Sequence, residues 1–333
     1  MYEISDFADA VKKDFADKLY IYEHKFILQL SFVMSSIKKI KSILLAVFLI
    51  SLSFVNGQSI SERYNRFGEV IVIQLSSSPF PHVNRLSGHT YNSKVYPYEE
   101  NYNDSTVIIF VPKGFQPKDK NDFIIHFHGW YNNVDSVLSQ FKLIEQFTES
   151  GKNAILVVPQ GPKNAPDSFG GKLEDENGFL RFMTDVVHVL HEREIVRSKS
   201  MGNIILSGHS GGYRVISFIL LRGGLTQNIK EVYLFDGLYG QIEKYSYWLD
   251  RFNGKFVNIY TKDGGTKDQS ENLMECFDAW NMPYIFKNEA DLTEEDLRVN
   301  RIINIYSDLG HNDVIHVRSQ LMNYLRTSCL LKK

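Results

Sequence analysis

Eight short runs rich in Val, Ile and Phe recur along this chain, several of them apolar on both faces, and longer stretches of helical spacing separate them. A strand with one wet face alternates apolar and polar residues, so runs apolar on both sides belong inside a mostly parallel sheet with helices packed on each face. The runs cover residues 70–75, 106–111, 123–127, 154–158, 203–207, 231–235, 256–260 and 302–306. Helical patterns cover 136–149, 178–197, 212–222, 270–280 and 312–326. The pattern from Gly178 is the plainest, with Phe179, Phe182, Met183, Val186, Val187 and Leu190 on one side, which is core packing.

The region after position 57 carries no repeats, low-complexity tracts or Pro-rich linkers, so residues 58–333 are read as one α/β domain. Composition is that of an ordinary globular protein, 43% hydrophobic and 23% charged, and a formal charge of -2 with no basic stripe excludes a nucleic-acid groove. The segment 34–57 reads differently. Met34 is followed by Lys38, Lys39 and Lys41, then an apolar run from Ile43 to Val55, with small residues before Gln58. That is the layout of a secretory signal peptide, and the run falls short of the about 20 apolar residues that span a bilayer. Residues 1–33 are accordingly read as an over-extended gene start or a short N-terminal tail, with export to the outside or the periplasm expected. Membrane contact is expected only through an uncleaved leader. Cys276 and Cys329 are the two cysteines, which leaves open one disulfide or two unpaired thiols.

Chemistry concentrates where runs of this kind end. Gly208-His209-Ser210-Gly211-Gly212 fits G-x-S-x-G between a strand pattern and a helix pattern, a turn that forces the serine into a strained backbone and presents its hydroxyl. Upstream, His128-Gly129-Trp130 closes the third run, where a glycine lets backbone N–H groups approach a developing oxyanion. The N–H groups of Trp130 and Gly211 are the expected donors. His126 and His128 are read as diverging side chains and a poor metal pair, and no metal site is expected.

Late in the chain, His311 follows the last strand pattern, where a neutral imidazole can take a serine proton near pH 7 and return it to a leaving group. His316 is read as a packed or exposed residue within the final helix. Two carboxylates compete to orient His311. Asp263 follows the seventh strand pattern in a Gly-rich turn, and Asp236 follows the sixth directly after apolar residues; the sequence leaves both open.

Taken together, these residues resemble the α/β-hydrolase superfamily over about residues 105–325, and the HGW loop, the GHSGG turn and Gly310-His311 are similar to secreted polyhydroxyalkanoate depolymerase-like and carbohydrate-esterase-like members. The resemblance implies an α/β-hydrolase fold with about eight strands and a triad in the order serine, acid, histidine. It further implies a secreted serine esterase that needs no cofactor and acts on a small-molecule or polysaccharide-linked ester. A peptidase or amidase using the same triad, and a non-catalytic binding module on the same scaffold, are the competing readings.

Overall fold

The computed structural model describes residues 59–333; the expected N-terminal tail at 1–33 and leader at 34–57 lie outside the described residues. Its strands are β1 (Gly68–Gln74), β2 (His89–Tyr91), β3 (Lys94–Tyr96), β4 (Thr106–Pro112), β5 (Lys120–Phe127), β6 (Ile155–Pro159), β7 (Ser200–His209), β8 (Ile229–Phe235), β9 (Lys255–Thr261), β10 (Ile285–Asn288) and β11 (Ile302–Ser307). Nine of them form one sheet in the order β1-β4-β6-β5-β7-β8-β9-β11-β10. β4 pairs antiparallel with both β1 and β6, and every other pairing in that sheet is parallel. β2 and β3 form a separate hairpin.

Apolar residues on both faces of the central strands build two cores. On β7, Ile204 and Leu206 pack to one side while Ile205 packs to the other; on β8, Val232 and Leu234 oppose Tyr233 and Phe235. The first side is covered by Phe179, Phe182 and Met183 of the helix Gly178–Glu192 and by Val215, Ile216 and Ile219 of the helix Tyr213–Arg222. The second is covered by Val137, Phe141, Ile144 and Phe147 from the segment 134–150 and by Leu321, Tyr324 and Leu325 of Gln320–Arg326. A strand of period two serves both layers at once, which is why neither face of β7 or β8 carries the polar alternation of a wet strand. Among the described residues no helix is long and apolar enough to cross a membrane.

The nine-stranded sheet agrees with the about eight strands expected, and the strand without a matching apolar run is β10, which is short and half-exposed. Several sequence expectations need correction. The helix expected at 136–149 is two helices, Val134–Gln140 and Leu143–Ser150, broken where Lys142 takes a left-handed φ of 50°. The helix expected at 312–326 begins only at Gln320, after Ser319 takes a left-handed φ of 53°, and the residues after Gly310 form turns that seat Val314 and Ile315 in the core. His316 therefore lies in a turn, its Nδ1 3.1 Å from the Asn312 carbonyl oxygen. Of the two readings left open for the cysteines, the structure has Cys276 and Cys329 as free thiols.

The first core layer makes a stability prediction. Phe182 is fully buried under the sheet. Phe182→Ala removes a ring that the backbone cannot follow, and should lower the unfolding free energy by about 3–5 kcal/mol in a denaturant titration.

Candidate active site

β7 and β8 lie side by side in parallel, with His209 opposite Phe235 at their last paired positions. The residue after each strand breaks the extended backbone in the same way. Ser210 takes φ +52° and Asp236 takes φ +46°. A non-glycine residue in the left-handed region costs about 1–2 kcal/mol, so two such residues at neighbouring strand ends are held there by their surroundings. Ser210 opens a short 3-10 turn, Ser210–Gly212, that runs straight into the helix Tyr213–Arg222. Gly212 is required for that turn, because a Cβ on it would stand 2.5 Å from the Phe127 carbonyl oxygen. Ser210 is thereby lifted to the wall of a cavity of about 320 Å³ shared with Trp130, Ser168, Gly211, Tyr213 and Tyr239.

Asp236, by contrast, is entirely enclosed. Its carboxylate accepts bonds from the Thr261 N–H at 3.0 Å, the Thr261 hydroxyl at 2.7 Å, the Thr266 hydroxyl, and His311 Nδ1 at 2.6 Å. Burial alone pushes this carboxyl up, but the bonds from His311, Thr266 and Thr261 together outweigh it and hold the group below the ordinary carboxylate range. A carboxylate accepts only, so His311 carries its proton on Nδ1 and offers Nε2 as a lone pair. Of the two aspartates left open by the sequence, Asp236 is the one bonded to His311. Asp263 is exposed in the turn after β9, and among the described residues it makes no hydrogen bond to His311.

The loop after β5 supplies the third side. A Cβ on Gly129 would stand 2.6 Å from Ser210 Cβ and 3.1 Å from its Oγ, so only glycine lets this peptide lie against the serine. The buried His128 ring fixes its orientation. Its Nδ1 donates to the Gly129 carbonyl oxygen at 2.9 Å, and its Nε2 accepts from the Gly161 N–H at 2.9 Å. In a trans peptide the carbonyl and the following N–H point opposite ways, so this bond turns the Trp130 N–H away from His128. The Trp130 N–H has no acceptor among the hydrogen bonds of the described residues. Gly211 approaches from the other side, where a Cβ would stand 2.7 Å from Trp130 Cδ1.

The expectation that His126 and His128 diverge by strand alternation is a misreading, since residues two apart share a face of a regular strand. Each is bonded within the protein instead: His126, on β5, has Nδ1 2.9 Å from Ser207 Oγ, and burial pushes its pKa down to about 3. Among the described residues no cluster of three His, Cys, Asp or Glu side chains is arranged to hold a metal ion.

The sequence assigns no role to three further residues at the site. Tyr239 follows Asp236 by three positions, donates to the Gly264 carbonyl oxygen at 2.5 Å, and places its phenol beside the Ser210 hydroxyl. Burial and the charge on Asp236 push that phenol up to about 12. His209 and Ser168 are the others. His209 Nε2 reaches the His311 carbonyl oxygen, and Ser168 Oγ accepts from the Trp130 indole at 2.7 Å. No hydrogen bond joins Ser210 Oγ to His311 Nε2 in this structure; contacts of that type often tighten only in the substrate complex.

No protein-family model matches the sequence, and no curated protein matches it. Solved structures do match. A point mutant of the feruloyl esterase module from Clostridium thermocellum, complexed with sinapinate, superposes with a TM-score of 0.51 at 11% identity, covering 80% of this chain and 90% of that one. A protein named FAE superposes with a TM-score of 0.51 at 12% identity, covering 78% of this chain and 88% of that one. Both likenesses extend over most of each chain. In this chain the sheet is parallel apart from β4, the second strand in spatial order, and the serine turn joins a central strand to a helix. This chain has the α/β-hydrolase fold.

Proposed function

We propose that this chain is a serine hydrolase that cleaves a carboxylic ester through an acyl-enzyme, with Ser210 as nucleophile, His311 as general base and Asp236 as the acid that orients it. The observation that carries the reading is the 2.6 Å bond from His311 Nδ1 to a buried, ionised Asp236, formed next to a serine held at φ +52°. A buried carboxylate costs free energy unless it is bonded, and here one of its bonds fixes the tautomer that a base requires.

In the first half-reaction His311 Nε2 takes the Ser210 Oγ proton as Oγ bonds to the carbonyl carbon. The carbonyl oxygen becomes an oxyanion facing the N–H groups of Trp130 and Gly211. Collapse of that intermediate breaks the bond to the alcohol, which leaves with the proton held by His311. In the second half, water gives a proton to His311 and its oxygen attacks the acyl carbon, and Ser210 regains its proton as the acid departs. The aromatic walls formed by Trp130, Tyr213 and Tyr239 suit an ester with a ring or another apolar group beside the carbonyl. Residues 34–57 support the export of such an enzyme.

A small p-nitrophenyl ester tests the chemistry. Ser210→Ala should cut its turnover by at least about 10³ with the protein still folded. Unchanged turnover in that variant contradicts the assignment. Asp236→Asn should lower kcat by about 10³–10⁴, since the amide no longer holds the required tautomer, whereas Asp263→Asn should stay within about twofold. Equal losses in the two variants would remove Asp236 from its role. Gly129→Ala should depress kcat by about 10² because its Cβ displaces the peptide that presents Trp130; steady-state kinetics beside a melting curve separates this from unfolding.

A further inference from the structure

We propose that His209, the residue before the nucleophile, is a positioning residue that ties the main chain of His311 to the end of β7 and so sets the base's reach to Ser210. The proposal rests on the roles assigned above to Ser210 and His311.

His209 is the last residue of β7 and shares a face with Ile205 and Ser207, the face packed against the segment 134–150. Its ring is buried between Phe141 and His311, with centroids 4.7 Å from each. Nε2 lies 2.9 Å from the His311 carbonyl oxygen. A carbonyl can only accept, so Nε2 carries the proton and Nδ1 is a bare acceptor. Nδ1 is buried and has no partner among the described residues. A residue needed merely to fill this space would be apolar, because an orphaned buried nitrogen costs free energy that a phenyl ring avoids. The imidazole is explained by its one bond.

That bond lands on a carbonyl that the surrounding turns leave free, since the Asp313 and Val314 N–H groups bond to the Gly310 carbonyl oxygen and, among the described residues, no main-chain N–H reaches that of His311. The residues after His311 form turns rather than a helix, so no helical ladder takes up its carbonyl. His311 is instead clamped from two neighbouring strand ends: Asp236, after β8, holds its ring, and His209, at the end of β7, holds its main chain. Ser210 is joined to His209 by one peptide bond, so nucleophile and base share an anchor. Burial, together with the adjacent His311, pushes the His209 pKa down to about 4, and a neutral ring beside His311 does not oppose the charge that His311 gains during turnover.

His209→Phe keeps a ring between Phe141 and His311 and removes the N–H, while His209→Gln keeps a donor. With p-nitrophenyl acetate, His209→Phe should lower kcat by about 10–100-fold and leave KM within about threefold, a misplacement effect rather than a binding one. Labelling of Ser210 by a fluorophosphonate should slow in step, and His209→Gln should recover a substantial part of both rates. A kcat for His209→Phe within twofold of wild type, or equal losses in the two variants, overturns the proposal. If His209→Phe does not fold, His209→Gln decides alone: kcat above about one tenth of wild type supports the shared anchor, and kcat below that overturns it. A wild-type protein that neither turns over the ester nor labels at Ser210 overturns the esterase reading itself, a result distinct from any difference between variants.

Discussion

A negative charge kept where no water reaches it is the constraint on which this site depends. The Asp236 carboxylate is fully enclosed and ionised, and an unpaired charge in such a place would cost several kcal/mol. The hydroxyls of Thr261, the last residue of β9, and of Thr266 in the segment that follows it, the Thr261 N–H and one imidazole remove that cost. The arrangement is close-fitting enough that a Cβ on Gly264 would collide with the carboxylate. His311 is therefore not a loop histidine that happens to be near an acid. Its ring completes the coordination of a charge that the fold has already buried.

The sheet makes that convergence possible. β7, β8, β9 and β11 are adjacent and parallel, so their last residues all emerge at one edge. Ser210, Asp236, Thr266 and His311 follow those four strands in turn. Residues separated by about a hundred positions meet because strand ends do, which is the general reason that ligand crevices form beyond the carboxyl ends of such strands. Left-handed backbone at Ser210 and Asp236 turns both residues out of their strands, Ser210 to the cavity wall and Asp236 to His311, above two packed cores.

How much of this could be read from the sequence depends on whether the signal was local. The central strands were legible because both of their faces are apolar, and the serine turn because glycines at 208 and 212 leave a local pattern. Fold class followed from these. Breaks in helices were not legible: Lys142 and Ser319 take left-handed φ values without any glycine or proline to announce them. Nor could Asp236 be chosen over Asp263 by inspection, because the choice is made by Thr261 and Thr266, whose hydroxyls reach Asp236 only after β8 and β9 have paired. The places of His209 and Tyr239 were not legible for the same reason, as each is bonded to a distant loop.

The most direct measurement is the structure of the protein after reaction with a fluorophosphonate ester. The account predicts phosphorus bonded to Ser210 Oγ, its free oxygen within hydrogen-bond reach of the Trp130 and Gly211 N–H groups, and His311 Nε2 facing Oγ with Nδ1 still on Asp236. An adduct at any other residue, or one on Ser210 whose oxygen points away from both N–H groups, would contradict it.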